Sequence, residues 1–246
     1  MNAPASETRD RILEVAARLF HERGFRATGV ATILREAGVN SGSLYHFFPS
    51  KDAVLAGVLQ RHLDAVGPTI LEPAQNATDD PIERVFALLE LYRRRLLVAG
   101  CTRGCPIGNL ALEVADGKPR IRALIEENFS AWTRGVRSWL EAAGDRLPAD
   151  IDRGELSRLV LAVMQGAVMQ ARAAGTLEPF DASVAGLRSH VELLQERARR
   201  ERSEPGVEQP EPGREPGETW AVRAGEGTAL PGETAQSTDG SDWRAW

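Results

Sequence analysis

Between Thr28 and Lys51 the sequence gathers small hydroxyls, a phenol, an imidazole and an ammonium in an order that suits phosphate and base-edge contacts. Asn40-Ser41-Gly42-Ser43 opens a short segment that continues Leu44-Tyr45-His46. Small residues at a helix start let the backbone approach a groove closely, and Ser41 and Ser43 can hydrogen-bond base edges or phosphates. Tyr45 and His46 are long enough to reach phosphates, and a phenol can also touch a thymine methyl. Lys51 falls in the first turn of the next helix, where amides and an ammonium can clamp one phosphate. Thr28, as cap of the preceding helix, can do the same from the other side. Plainer readings stand beside these: Tyr45 as a packing aromatic, His46 as a surface residue and Ser43 as a cap. Leu44 and Phe47 read as core.

A second set of reactive groups lies at Cys101 and Gly104-Cys105-Pro106. Cys105 precedes a proline at a helix start, where partial positive charge stabilises a thiolate, and Arg103 is two residues away. Cys101 is close enough in a loop to serve as a resolving thiol. That makes an electrophile or oxidant sensor one reading; two small buried hydrophobes is the other. A catalytic Cys105 would need a base nearby, and the four histidines (His21, His46, His62, His190) are scattered. No zinc-protease, phosphate-loop or dinucleotide fingerprint occurs, so the expectation is a protein that is not an enzyme and carries no cofactor or metal.

The elements that must position these groups read as helices throughout, nine in number. Ile12, Leu13, Ala16, Leu19 and Phe20 share a face, and Gly24 supplies a stop. A helix capped by Thr28 carries Val30, Ile33 and Leu34 and ends at Ala37-Gly38. The next, capped by Asn40 or Ser41, runs through Phe48, and Ser50 caps a longer one with Val54, Leu55, Val58, Leu59, Leu63 and Val66 inward. Two short helices joined by the tight Gly38-Val39-Asn40 turn form a helix-turn-helix pattern, whose second helix enters the major groove. Residues 67–80 read as a linker. Further helices follow from Pro81, from Pro106 to Val114, over 118–143, over 155–174, and from a cap at Asp181. The 155–174 helix is apolar on more than one side and needs two partners, its own core and a second subunit.

A non-covalent ligand site is expected where four helices converge, from Phe86, Tyr92, Asn109, Trp132, Met164 and Met169. Asn109 and Gln165 would be its polar anchors, with Arg103 available to an acidic ligand. Plain core packing is the alternative for each.

Charge is distributed unevenly over the 246 residues, whose net charge is −5. Residues 1–65 hold eight Lys/Arg and seven Asp/Glu, whereas residues 200–246 hold five and ten, so the acidity belongs to the tail. That tail contains twelve glycines and prolines and is expected to be disordered. The expected domains are a helix-turn-helix at 1–52, a helical ligand and dimerisation domain at 53–199, and the tail. Two cysteines, no leader-like apolar run near Met1 and no membrane-length apolar stretch suit a cytoplasmic protein.

At Ala37 through Asp52, and in Leu13, Ala16, Leu19, Phe20 and Gly24-Phe25 before it, the sequence resembles the tetracycline-repressor (TetR) family. Two positions depart from that pattern: Gly29, where Ser or Thr is usual, and Ser41, where a basic residue is frequent. The run Gly104 to Ala111 resembles a subset of that family. The resemblance implies an all-α fold of nine or ten helices, a homodimer, a palindromic operator and DNA release on ligand binding, with repression as the usual mode. It also implies a dimer bundle from the last two helices, here drawing on Leu156, Leu159, Val160, Val163, Leu187, Val191 and Leu194. A thiol-sensing regulator acting through Cys105, or an architectural DNA binder without ligand, are the alternatives.

Overall fold

The computed structural model describes residues 5–114 and 118–203; among them are ten α-helices and no strand. The expected disorder of the tail concerns residues that, from 204 on, lie outside the described ones. Helix α1 (Ala5–Arg23) stops at Gly24, whose φ of +83° is a left-handed conformation that glycine adopts without steric cost. Helices α2 (Val30–Ala37) and α3 (Ser41–Phe47) flank a turn that begins at Gly38, φ +62°. The Asn40 carboxamide accepts from the Ser43 amide at 2.8 Å, capping α3, and Ser50 Oγ accepts from Ala53 at 3.1 Å, capping α4 (Lys51–Val66).

The stretch expected as a linker is helical. A π-helical turn (Gly67–Leu71) continues directly from α4 and leads into α5 (Glu72–Ala77). Pro68 and Pro73 stand near the starts of the π-helical turn and of α5, and the chain stays helical through both. Burial of Ile70 and Ala74 supplies the tertiary stabilisation that propensity alone would not.

Helix α6 (Pro81–Val98) is capped by Asp80, which also takes both nitrogens of Arg146 at 2.9 Å. Helices α7 (Pro106–Val114), α8 (Pro119–Ala142) and α9 (Arg153–Ala174) follow at the places the periodicity marks. Helix α10 (Glu178–Ser203) starts earlier than expected and runs past residue 199. Asp181 is therefore not its cap: the Asp181 amide already donates to Leu177, and its carboxylate takes Arg93 at 2.7 and 2.9 Å.

Two apolar cores form. One joins α6, the later part of α8, α9 and α10. The other holds α1 to α4 and takes in Ile107, Leu110 and Val114 of α7 with Ile121 and Ile125 of α8. The helix-turn-helix thus packs on a piece of the following region, and Cys105 packs against both cores.

The dimer residues expected on α9 and α10 divide sharply. Leu156, Val160, Leu187, Val191 and Leu194 are buried in this chain's own core, so they have no surface left for a partner. The apolar periodicity could not say which stripe faces in. The face left outward carries Leu159, 41% exposed, and Leu193, 64% exposed, with Ala162, Val163, Gly166, Ser183, Gly186 and His190 lining a groove between the two helices. Among the described residues no helix is long and apolar enough to cross a membrane.

Candidate DNA-binding and ligand sites

Helix α3 presents Ser41, Gly42, Tyr45 and His46 outward, with Ser43 half-buried and Leu44 fully buried beneath them. Tyr45 is 53% exposed, which removes the packing-aromatic reading for it. The His46 imidazole sits edge-on to Phe47, ring centroids 4.9 Å apart, which orients it while leaving it open to solvent. Asn40 spends its carbonyl oxygen on the cap, so its NH2 is the part free to meet DNA.

Thr28 is not a surface donor. It is 1% exposed, and its hydroxyl donates to the carbonyls of Gly24 at 2.7 Å and Leu19 at 3.3 Å, tying the end of α1 to the turn. Gly29 takes the cap position of α2 with no side chain to offer. Lys51 is likewise engaged within the chain. Its ammonium lies 4.2 Å from the Phe25 ring centroid, and burial draws its pKa down. The Lys118 ammonium lies 4.6 Å from the same centroid and pairs with Asp52 at 2.7 Å.

These contacts belong to a seam between α1–α4 and the 103–118 segment, which the sequence did not reveal. Glu113, on α7, accepts from the main-chain N–H groups of Phe25 at 2.8 Å and Arg26 at 2.5 Å. A Cβ at Gly24 would stand 3.0 Å from a Glu113 oxygen. Arg103 reaches Glu22 at 2.9 Å, and the His21 ring meets the Gly104 carbonyl at 2.7 Å. Arg103 is thereby tied to α1 rather than free for an acidic ligand. No periodicity marks Glu113, because its partners are main-chain groups 87 and 88 residues away.

The same segment opens onto three cavities, all of which Cys105 lines. A cleft of about 730 Å³ lies beside α6 and the 102–106 loop. A groove of about 310 Å³ between α7 and α9 holds Asn109, Gln165 and Met169. An inner cavity of about 140 Å³ is walled by Tyr92, Trp132, Met164 and Gln165, together with His62 and Asn128, which sequence reasoning missed. Phe86 joins none of them. It lies 6% exposed on a separate cleft of about 600 Å³ at the α6–α10 seam, with the Arg188 guanidinium 3.7 Å over its ring and Arg188 paired to Glu83, so the structure does not bring it together with the other expected ligand residues.

Inside the smallest cavity burial disfavours charge on two ionisable groups, His62 and Tyr92. Burial lowers the His62 pKa, aided by repulsion from His21 and Arg61. Burial also pushes the Tyr92 phenol well up, with Cys105 adding to the shift and Arg95 and Trp132 opposing it. The Cys105 sulfur accepts from the Gln165 carboxamide at 3.3 Å and the Gly108 amide at 3.5 Å. Cys101 is 4% exposed, with φ +56° fixed by its N–H bond to Leu96 at 2.8 Å. That placement suits a packing thiol better than a mobile resolving one.

The family model described as "Bacterial regulatory proteins, tetR family" matches residues 12–58, and that of the "Transcriptional regulator LmrA/YxaF-like, C-terminal domain" matches 81–185. The HTH-type transcriptional regulator Rv0196 of Mycobacterium tuberculosis (strain ATCC 25618 / H37Rv) is 32% identical over 179 residues, 70% of this chain and 88% of that protein. The chain belongs to the TetR family. Its all-helical TetR architecture also matches a solved TetR regulatory protein from Rhodobacter sphaeroides, TM-score 0.67 at 21% identity over 74% of this chain and 97% of that one. The reduced form of Escherichia coli NemR gives a TM-score of 0.65 at 25% identity, over 76% and 96%. The chain is thus a TetR-family helix-turn-helix transcriptional regulator, and α3, the second helix of that motif, leaves Ser41, Tyr45 and His46 exposed.

Proposed function

We infer that this TetR-family protein is a homodimeric repressor, bound to a near-palindromic operator and released from it by a small molecule. The observation that carries the reading is the 103–113 segment: it lines three cavities through Cys105, while Arg103 and Gly104 at its start hold α1 and Glu113 at its far end holds the α1–α2 turn. A ligand that moves α7 therefore moves the support on which α3 rests. The ligand shifts the equilibrium only by its differential affinity for the two arrangements. Residues 1–52 read DNA, and residues 53–199 sense and dimerise. The outward groove of α9 and α10, lined by Leu159, Gly166, Gly186 and His190, supports the pairing of subunits. In the simplest dimer the two α3 helices stand about 34–36 Å apart. NemR, 26% identical over 75% of this chain, is named a repressor, which favours repression here. The Gly104 to Ala111 run supports reading the chain as one of the Gly-Cys-Pro subset. Molecules that raise the apparent stability in a thermal screen should lower operator affinity in an anisotropy titration; binders that leave the DNA complex intact would contradict the reading.

A thiol-sensing variant has one observation in its favour: Cys105 sits where all three cavities meet and touches both cores, so an added group there would strain both. Iodoacetamide should release operator from the parent protein and not from Cys105→Ser. Equal release from both removes this variant alone.

A further inference from the structure

The inner cavity mixes apolar and polar wall residues, and two of its polar groups stand out. Asn128 and Trp132 stand one helical turn apart on α8, each 4% exposed, and both line it. Asn128 uses its amino group on the carbonyls of Leu59 at 3.1 Å and Leu124 at 2.8 Å, which fixes the carboxamide orientation. Its Oδ1 then has no partner among the described residues, and the Trp132 indole N–H, which faces the Tyr92 phenol, makes no hydrogen bond of ordinary geometry. A buried orphan acceptor beside a buried orphan donor is costly, and native proteins seldom keep such a pair without a use. Residues four apart on a helix face are neighbours, about 5–6 Å between Cβ atoms. One small polar group can therefore meet both.

We propose that this cavity binds an uncharged, single-ring-sized molecule whose hydroxyl or carboxamide donates to Asn128 Oδ1 and accepts from the Trp132 indole N–H. The size follows from the volume of about 140 Å³, close to the roughly 150 Å³ that accommodates benzene. Neutrality follows from the pair itself. A carboxylate has no proton for Asn128 and would face its carbonyl oxygen, whereas an ammonium has no acceptor for the indole. Burial disfavours charge on Tyr92 and His62, and Thr69 and Gln165 are uncharged, so none of these wall groups supplies a compensating charge. Arg95 lines the cavity too, but it is exposed and bonded to the Thr69 carbonyl, so it marks the mouth. Tyr92, Arg95, Cys105 and Pro106 line both this cavity and the outer cleft, which makes them the entry route.

The proposal rests on the ligand-release reading and names the chemistry of that ligand. Its test is direct binding of phenol, benzamide, toluene and benzoate to the full chain, by calorimetry and thermal shift. Phenol and benzamide should bind about tenfold more tightly than toluene, the usual scale for leaving a buried polar group unpaired, and benzoate more weakly than phenol. Trp132→Phe should narrow the preference for phenol over toluene without abolishing it, because the indole donor is lost while Asn128 Oδ1 still accepts from the phenol hydroxyl. Comparing two probes in one variant cancels the volume lost with the indole. Asn128→Leu should act the same way if it folds. Toluene equal to phenol in the parent protein, benzoate at or above phenol, an undiminished preference in Trp132→Phe, or no binding by any probe would each overturn the proposal. Operator release is measured separately. Selective phenol binding without release sinks the release reading and leaves the cavity chemistry standing; release by a molecule whose affinity Trp132→Phe does not alter does the reverse.

Discussion

The Glu113 carboxylate takes two main-chain N–H groups of the α1–α2 turn, and the turn makes room for it at Gly24. Alanine at Gly24 would meet two penalties together. The left-handed φ of +83° costs a side-chain-bearing residue about 1–2 kcal/mol, and the new Cβ would push at the carboxylate. Gly24→Ala should therefore lower stability by at least that amount, read by urea denaturation. Thr28→Val should cost about 1 kcal/mol through its two lost hydrogen bonds, and leave the salt dependence of DNA binding unchanged. A reduced salt slope would restore Thr28 as a phosphate contact. At this scale the sequence was legible where a side chain serves its own helix, as Asn40 and Ser50 do. It was opaque at Thr28 and Lys51, whose types suit DNA but whose side chains turn inward to Leu19 and Phe25.

Among elements, α7 carries the proposed coupling. Its nine residues, Pro106–Val114, include the cavity-lining Gly108 and, five residues on, Glu113 at the α1–α2 turn. A carboxamide can accept there but also presents an NH2 to two donors, so Glu113→Gln should loosen the link. The ligand-induced fall in operator affinity should shrink at least about fivefold, the small end of ordinary coupling energies, while binding to the DNA-free protein changes little. Full coupling in that variant would move the relay elsewhere. Asp80 tests the anchoring of α6, since Arg146 and two amides hold its carboxyl below the ordinary 3.8. A depressed folded pKa gives stability that is present above the unfolded value and lost as pH falls through the folded one. Denaturation midpoints should therefore fall with pH below about 4, and Asp80→Asn should flatten that decline. Helix positions themselves were readable from apolar spacing, and α7 matched from Pro106 to Val114. The 67–77 stretch was not, because two prolines and a glycine look like breakers, yet the chain stays helical through them.

For the whole molecule, what periodicity left undecided was which stripe of α9 and α10 faces out. Apolar spacing marks a buried face without naming the neighbour, so five core residues passed for interface. The outward set predicts different phenotypes. Val160→Ala should lower stability by about 1 kcal/mol or more as a core truncation and leave pairing intact. Leu193→Arg should give a folded monomer by sedimentation that no longer binds operator. The ligand cavity was half legible: aromatic and Met positions pointed to it, while His62 and Asn128 looked incidental until α4 and α8 packed together. The measurement that bears most directly on the account is duplex selection from a random pool with the full chain, followed by footprinting and by the same selection with Tyr45→Ala. A near-palindrome with half-sites about one helical turn apart, weakened by the substitution, is the predicted result. Failure to enrich any duplex at low salt, or a single asymmetric half-site bound by a monomer, would contradict it.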